Sequence, residues 1–231
     1  MLLKGLQKLT LLDFPGKMAA TVFAGGCNFR CPFCHNASLV IGKRLKETPS
    51  LSEEEFFSFL ERRKNILEGV CVSGGEPTIY RDLIPFLYKI KELGYLVKLD
   101  TNGYRPAVLK EAVGAGLVDY VAMDIKNSKE SYGKTVGLEN FDIKPILEST
   151  EFLMSGAVDF EFRTTLVREL HTERDIYSIG TWLEGEEKYF LQTFEDSGDL
   201  LSSRLSGYDK NETKDLLNLI KVYIKNAQIR G

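Results

Sequence analysis

The sequence lacks the features that mark membrane-spanning, secreted and nucleic-acid-binding proteins. None of its apolar runs reaches the ~18 residues of a membrane span. Lys4, Lys8 and Asp13 interrupt residues 1–14, where a secretory leader would be continuously apolar. The 33 Asp and Glu residues outnumber the 30 Lys and Arg residues, so there is no basic excess to bind a phosphate backbone. We therefore expect a cytoplasmic protein that binds neither membranes nor nucleic acid.

Cysteine is scarce, and its distribution excludes a disulfide-stabilised domain. The 231 residues include 4 cysteines, and Cys27, Cys31 and Cys34 all lie in residues 27–34. A disulfide scaffold would instead distribute an even number of cysteines along a short secreted chain. The spacing therefore indicates metal ligation.

Short apolar runs alternate with segments of helical period along the whole chain. Each apolar run is followed by such a segment, and this order predicts a parallel sheet with right-handed crossovers. Six strand–helix units are two short of a closed eightfold barrel, so an open doubly wound sheet and a laterally open barrel both fit. We expect an α/β fold with a partial (βα)6 barrel, one domain over residues 1–231, and a site at the carboxyl ends of the strands. The predicted strands are 18–23, 70–72, 96–100, 120–125, 159–167 and 188–192, and a closing helix is predicted over 211–226.

The three clustered cysteines follow the first predicted strand in a C-x3-C-x2-C array. Three thiolates on one short loop can hold three irons of a 4Fe–4S cluster, which leaves the fourth iron open to a substrate. The alternative is a closed zinc site with Cys71 as its fourth ligand. Cys71 lies alone inside the apolar strand, where a cysteine usually serves as a small buried hydrophobe.

This array resembles the radical S-adenosylmethionine (SAM) superfamily, in which an aromatic residue, here Phe33, precedes the last cysteine. Gly74, Gly75 and Glu76 follow the second strand and resemble the GGE motif that contacts the methionine amino group; alone, they would read as a turn. Residues 12–16 and 26–36 resemble more closely the activating proteins of glycyl radical enzymes, particularly those of anaerobic ribonucleoside-triphosphate reductase.

The resemblance implies the cofactors and the partners. The open iron would chelate the amino and carboxylate groups of SAM, and one electron would cleave a sulfonium C–S bond. The resulting 5′-deoxyadenosyl radical would remove a hydrogen atom from a glycine of the partner. We therefore expect a 4Fe–4S cluster, SAM, a flavodoxin- or ferredoxin-type electron donor, and a glycyl radical enzyme, in first place an anaerobic ribonucleoside-triphosphate reductase.

Polar residues also end the third and fourth predicted strands, where a parallel sheet gathers its ligands. Asp100, Thr101, Asp124 and Lys126 resemble the strand-end pattern of pyruvate formate-lyase activases, which implies a position at the methionine end of SAM with Lys126 near the carboxylate. Helix capping or turn formation is the alternative for the acidic residues. Arg163 matches an activase arginine on the cofactor side, but could instead form a salt bridge with Glu161 on the same strand face.

Other functions remain open from the sequence. Cys71 is the single cysteine left over, which excludes auxiliary iron–sulfur clusters. The rivals are a pyruvate formate-lyase-type activase, a small-molecule enzyme such as 7-carboxy-7-deazaguanine synthase, and a non-catalytic iron–sulfur or zinc protein. No role is predicted for His35, His171 or Gln192, and the long aperiodic segment 127–142 is expected to be a loop beside the site.

Overall fold

The computed structural model describes residues 1–196, 198–202 and 204–230. In this part of the chain, eight strands form one sheet in chain order, with β1 antiparallel to β2 and all later neighbours parallel. The strands are β1 Leu3–Thr10, β2 Ala19–Ala24, β3 Gly69–Gly74, β4 Leu96–Thr101, β5 Tyr120–Asp124, β6 Asp159–Leu166, β7 Tyr189–Thr193 and β8 Gln228–Arg230.

Helices connect the parallel strands. Several begin at side-chain caps: Ser52 and Glu55 form the capping box of α3, and Asp209 and Glu212 form that of α9. The helices are α1 Ala37–Val40, α2 Gly42–Glu47, α3 Glu53–Arg62, α4 Leu83–Glu92, α5 Pro106–Gly114, α6 Tyr132–Thr135, α7 Lys144–Met154, α8 Glu173–Trp182 and α9 Lys210–Ile220.

The sheet is curled into a laterally open barrel. Strands that follow one another in chain order with right-handed crossovers place all their helices on one face, whereas a doubly wound sheet reverses its order. The rings of Phe14, just before β2, and Tyr120, on β5, are 6.1 Å apart. In a flat sheet, three strand spacings would separate those strands by roughly 14 Å. The α/β fold is thus confirmed, and β2 to β7 are the six predicted strands.

Side chains alternate between the two faces of the curled sheet. On β3, Val70 and Val72 pack in the main apolar core against the helices, while Cys71 and Ser73 point to the barrel interior. Phe14, Ala19 and Tyr120 form a small apolar cluster at the other end of the barrel. Polar strand residues are therefore gathered in the interior near the carboxyl ends of the strands.

Two predictions about the chain are corrected by the structure. The closing helix does not run over 211–226, because α9 ends at Ile220 and the chain turns into β8, an edge strand that the sequence pattern missed along with β1. Ala227 is buried just before β8. Segment 127–142 is not purely a loop, since it contains α6. No helix in the described residues is long and apolar enough to cross a membrane, and the single domain stays a prediction.

Candidate cofactor site

A cavity of about 260 Å³ opens at the carboxyl ends of the parallel strands. All of the residues predicted to bind metal or cofactor line it. They are Cys27, Phe33, Cys31, Cys34, Gly74, Gly75, Glu76, Asp100, Thr101, Asp124, Lys126 and Arg163. The curl of the sheet therefore brings together side chains that are up to 136 positions apart in the sequence.

The cysteine loop, residues 26–34, follows β2 and forms one side of this cavity. The backbone N–H of Phe29 donates to the sulfur of Cys27 at 3.3 Å, and the N–H of Cys34 donates to the carbonyl of Cys31 at 3.0 Å. The buried Phe29 ring packs edge-on against Tyr104, at a centroid distance of 5.5 Å. Burial raises the pKa of Cys27 to about 12 and that of Cys31 to about 11, so both thiols carry protons at neutral pH.

Cys71 does not belong to this group. It lies fully buried on β3, where its sulfur is 3.9 Å from Nζ of Lys98, and it does not line the cavity. Among the residues that the structure describes, no three His, Cys, Asp or Glu side chains are arranged to hold a metal ion. A zinc ion needs its ligands in one tight shell, whereas each thiolate of a cluster binds a different iron. The donor set fits an iron–sulfur cluster better than a closed zinc site.

The glycine loop, Gly74-Gly75-Glu76, is in direct backbone contact with the cysteine loop. Gly75 N–H donates to the carbonyl of Ala24 at 2.8 Å, and Glu76 N–H donates to the carbonyl of Gly26 at 2.9 Å. A Cβ atom on Gly75 would lie 1.9 Å from the Gly26 carbonyl oxygen. The second glycine of the motif is therefore required by the approach of the chain to its own cysteine loop.

Glu76 connects the glycine loop to the end of β4. Its carboxylate accepts hydrogen bonds from Thr78 N–H at 3.1 Å, Thr101 Oγ1 at 2.8 Å and the Asn102 N–H at 2.6 Å. The side chain is 1% exposed, and this burial raises its pKa although the hydrogen bonds act in the opposite direction. Because its oxygens already accept protein donors, Glu76 fixes the shape of the cavity wall.

A row of alternating charges crosses the ends of β4, β5 and β6. Arg163 Nε donates to Asp124 at 3.0 Å, and its Nη1 lies 3.6 Å from Asp100. Lys126 Nζ donates to the other oxygen of Asp124 at 2.9 Å, and Lys98 forms an ion pair with Asp100. Burial by itself would raise the pKa of Asp124, but Lys126 and Arg163 outweigh it and hold that pKa at about 2.

The partners of these charges argue against two of the alternatives left open by the sequence, a salt bridge from Arg163 to Glu161 and helix capping by the aspartates. Arg163 pairs with the two aspartates rather than with Glu161, which accepts a bidentate pair from Arg230 of β8 and a bond from Tyr120. Helices α5 and α6, which follow β4 and β5, have Arg105 and Ser131 at their N-caps. Capping is therefore not the role of Asp100 or Asp124.

Several cavity residues were not among the predicted site residues. Asn102 and Gln192 stand at strand ends, Phe29 lies within the cysteine array and Ser73 directly precedes Gly74, so their positions were a usable signal. His171 is fully buried behind the wall, where Nε2 faces the Lys126 carbonyl at 2.9 Å and Nδ1 accepts from Val167 N–H at 3.1 Å. The additional lining residues are Phe29, His35, Asn36, Val40, Ser73, Asn102, Thr165 and Gln192.

The sequence is similar to known proteins over the part of the chain that forms this cavity. The model of the radical SAM superfamily matches residues 21–174. A Methanocaldococcus jannaschii protein, named as a glycyl-radical enzyme activating enzyme, is 34% identical over 99% of this chain and 95% of its own. The 7-carboxy-7-deazaguanine synthase of Koribacter versatilis is 29% identical over 66% of this chain and 63% of its own.

Solved structures agree in fold. Streptococcus suis SuiB bound to the precursor peptide SuiA matches 90% of this chain with a TM-score of 0.69 and 14% identity. The present chain spans 47% of that protein, and likeness at this identity shows the fold alone. The family match covers the cysteine loop, the glycine loop and the charged row, and the superfamily's cofactors are SAM and an iron–sulfur cluster. The chain therefore belongs to the radical SAM superfamily, as its cysteine spacing predicted, and is a radical SAM enzyme.

Proposed function

We propose that this enzyme activates a glycyl radical enzyme, and that its partner is an anaerobic ribonucleoside-triphosphate reductase. The observation that carries the proposal is the convergence of the three-cysteine loop and the row of alternating charges on one cavity. The relative named as an activating enzyme supports it, because it matches this chain over nearly the full length of both.

In the proposal, Cys27, Cys31 and Cys34 hold a 4Fe–4S cluster. When bound, the cluster supplies the electron that cleaves a sulfonium C–S bond of SAM and yields a carbon radical able to take hydrogen from glycine. The thiols must release their protons for the cluster to bind, and burial opposes that release. Lys126 favours the thiolate of Cys31 through its charge. Cys71 remains outside the ligand set.

The charged row is suited to the amino acid end of SAM, which carries an ammonium and a carboxylate. Asp100 and Asp124 offer carboxylate oxygens to the ammonium, and Lys126 and Arg163 offer donors to the carboxylate. These side chains already pair with one another, so the row keeps its geometry before the ligand arrives. Preorganised charges of this kind need little rearrangement on binding.

A partner polypeptide needs an opening through which a glycine can approach. Strands β1 and β8 are the two edges of the described sheet and do not pair with each other, so the barrel is open laterally. Hydrogen abstraction requires the glycine Cα to lie within near-attack range of the 5′-deoxyadenosyl carbon. A flexible loop of the partner must therefore enter the cavity. We expect docking to depend on segment 127–142 and on the chain from about residue 170 onward.

The test is formation of a glycyl radical on the partner. Reduced, reconstituted enzyme, SAM and the candidate reductase are mixed without oxygen and examined by electron paramagnetic resonance (EPR). We expect the doublet of an α-carbon radical, with no doublet from Cys31→Ala and an equal doublet from Cys71→Ala. Absence of the doublet with every glycyl radical enzyme tried would refute the proposal.

A small-molecule radical SAM enzyme is the second candidate, because the 7-carboxy-7-deazaguanine synthase is also a relative. That alignment covers 66% of this chain, less than the alignment with the activating enzyme. Turnover of a pterin substrate without any radical on a partner protein would favour this candidate. A stable glycyl radical without pterin turnover would exclude it.

A further inference from the structure

Two asparagine side chains lie beside Cys27 and are not used by the proposed function. Asn102 follows β4 and is 5% exposed, and Asn28 belongs to the cysteine loop itself. Asn102 Nδ2 donates to Asn28 Oδ1 at 2.8 Å and lies 3.9 Å from the Cys27 sulfur. The pair therefore joins the end of β4 to the first cysteine of the array.

A backbone contact fixes the orientation of the Asn102 amide, which in turn contacts Asn28. Tyr104 N–H donates to Asn102 Oδ1 at 3.0 Å, which leaves the Asn102 nitrogen to face Asn28 and Cys27. The backbone N–H of Asn102 donates to the Glu76 carboxylate at 2.6 Å. Asn28 presents its oxygen to Asn102 and, at 3.9 Å, to the Cys27 sulfur, so the nitrogen that faces this sulfur is that of Asn102. The contacts that hold Asn102 therefore place its side-chain N–H donor near the Cys27 sulfur.

The nitrogen of Asn28 is a buried polar atom without a hydrogen-bond partner in the part of the chain that the structure describes. Buried donors are almost always paired, because an unpaired one costs about 1–3 kcal/mol. The residue next to it, Cys27, is a predicted ligand of a group rich in sulfur acceptors. A thiol binds such a group only as a thiolate, which changes its sulfur from a donor into a strong acceptor.

We infer that the side-chain amide of Asn102, held in place by Asn28, donates a hydrogen bond to the Cys27 sulfur of the assembled cluster and raises the cluster's reduction potential. The inference rests on the proposed cluster. Reduction adds negative charge to the sulfurs, so donors stabilise the reduced state more than the oxidised state. Loss of this donor would make the cluster harder to reduce.

The first experiment compares reduction midpoints in Asn102→Leu and Asn36→Leu, after iron and sulfide have been measured in each protein. Leucine removes the donor without adding charge. Asn36 lines the same cavity, but among the described residues its side chain makes no hydrogen bond to a cysteine. We expect Asn102→Leu to lower the reduced-to-oxidised ratio about tenfold at a given potential, which is about 59 mV for one electron. We expect Asn36→Leu to keep the wild-type midpoint.

A second experiment uses the wild-type protein, so it does not depend on the variant retaining its cluster. Asparagine labelled with ¹⁵N in the side-chain amide should give a nitrogen coupling in pulsed EPR of the reduced cluster, and Asn36→Leu should preserve it. An equal midpoint shift in both variants, or a full cluster without nitrogen coupling, would overturn the inference. A protein that never binds iron and sulfide would refute the proposed function instead.

Discussion

The contact between Gly75 and the cysteine loop gives a sharp prediction for Gly75→Ala. The backbone of Gly75 is not in the left-handed region, so alanine is acceptable there except for its Cβ atom. That atom would lie 1.9 Å from the Gly26 oxygen, and ordinary contact begins near 3.4 Å. The two loops must therefore separate by about 1.5 Å.

The separation would break the hydrogen bonds that join the loops, Gly75 to Ala24 and Glu76 to Gly26. Each contributes about 1 kcal/mol, and the residual overpacking adds about 1–3 kcal/mol. We expect a loss of about 3–5 kcal/mol in the free energy of unfolding, or a fall of roughly 6–20 °C in the melting midpoint. Because Gly26 directly precedes Cys27, we also expect less iron per chain.

The assay is thermal unfolding of anaerobically purified protein, with iron and sulfide measured on the same samples. Gly114→Ala is the matched control, since a Cβ at that helical glycine meets nothing within 4 Å. Alanine should leave the melting midpoint unchanged or raise it slightly there. If Gly75→Ala melts like Gly114→Ala and keeps its iron, the close approach of the two loops is wrong.

Three further predictions concern the ligand set, the glutamate and the pH dependence. Alanine at Cys27, Cys31 or Cys34 should abolish the iron and sulfide content, while Cys71→Ala should keep about four of each per chain; equal loss at Cys71 would favour a closed four-cysteine site. Glu76→Gln should destabilise the protein by about 1–3 kcal/mol in urea unfolding, because an amide NH₂ cannot accept the Asn102 N–H; an unchanged midpoint would show that this bond contributes nothing. Burial lowers the pKa of His171 in the folded protein. As the pH falls below about 6.5, the unfolded chain therefore binds a proton before the folded protein does. The free energy of unfolding should be highest above that pH and should decrease until the pH reaches the folded-state pKa. Unfolding free energies measured from pH 8 to 5 should lose most of this slope in His171→Gln, and an identical slope in that variant would contradict the assignment.

The sequence alone determined the parts of the site that depend on local order. The C-x3-C-x2-C spacing places three thiols on one loop, and the alternation of apolar runs with helical periods gives the parallel strands. Carboxyl ends of parallel strands meet at one edge, so Asp100 and Lys126 could be assigned to one site, while Arg163 was assigned by resemblance. Fold class and family followed from these patterns.

The tertiary structure decided which charged groups pair and why a glycine is needed at Gly75. Arg163 has Glu161 two residues away on the same strand, yet it pairs with Asp124 and Asp100, because the incoming β8 supplies Arg230 to Glu161. No spacing in the sequence predicts that edge strand. Likewise, only the structure shows that Gly75 meets the backbone of Gly26, while the contact of Gly74-Gly75-Glu76 with SAM stays a prediction. Contacts between segments distant in the chain depend on how the sheet curls, and local periodicity carries no information about that curl.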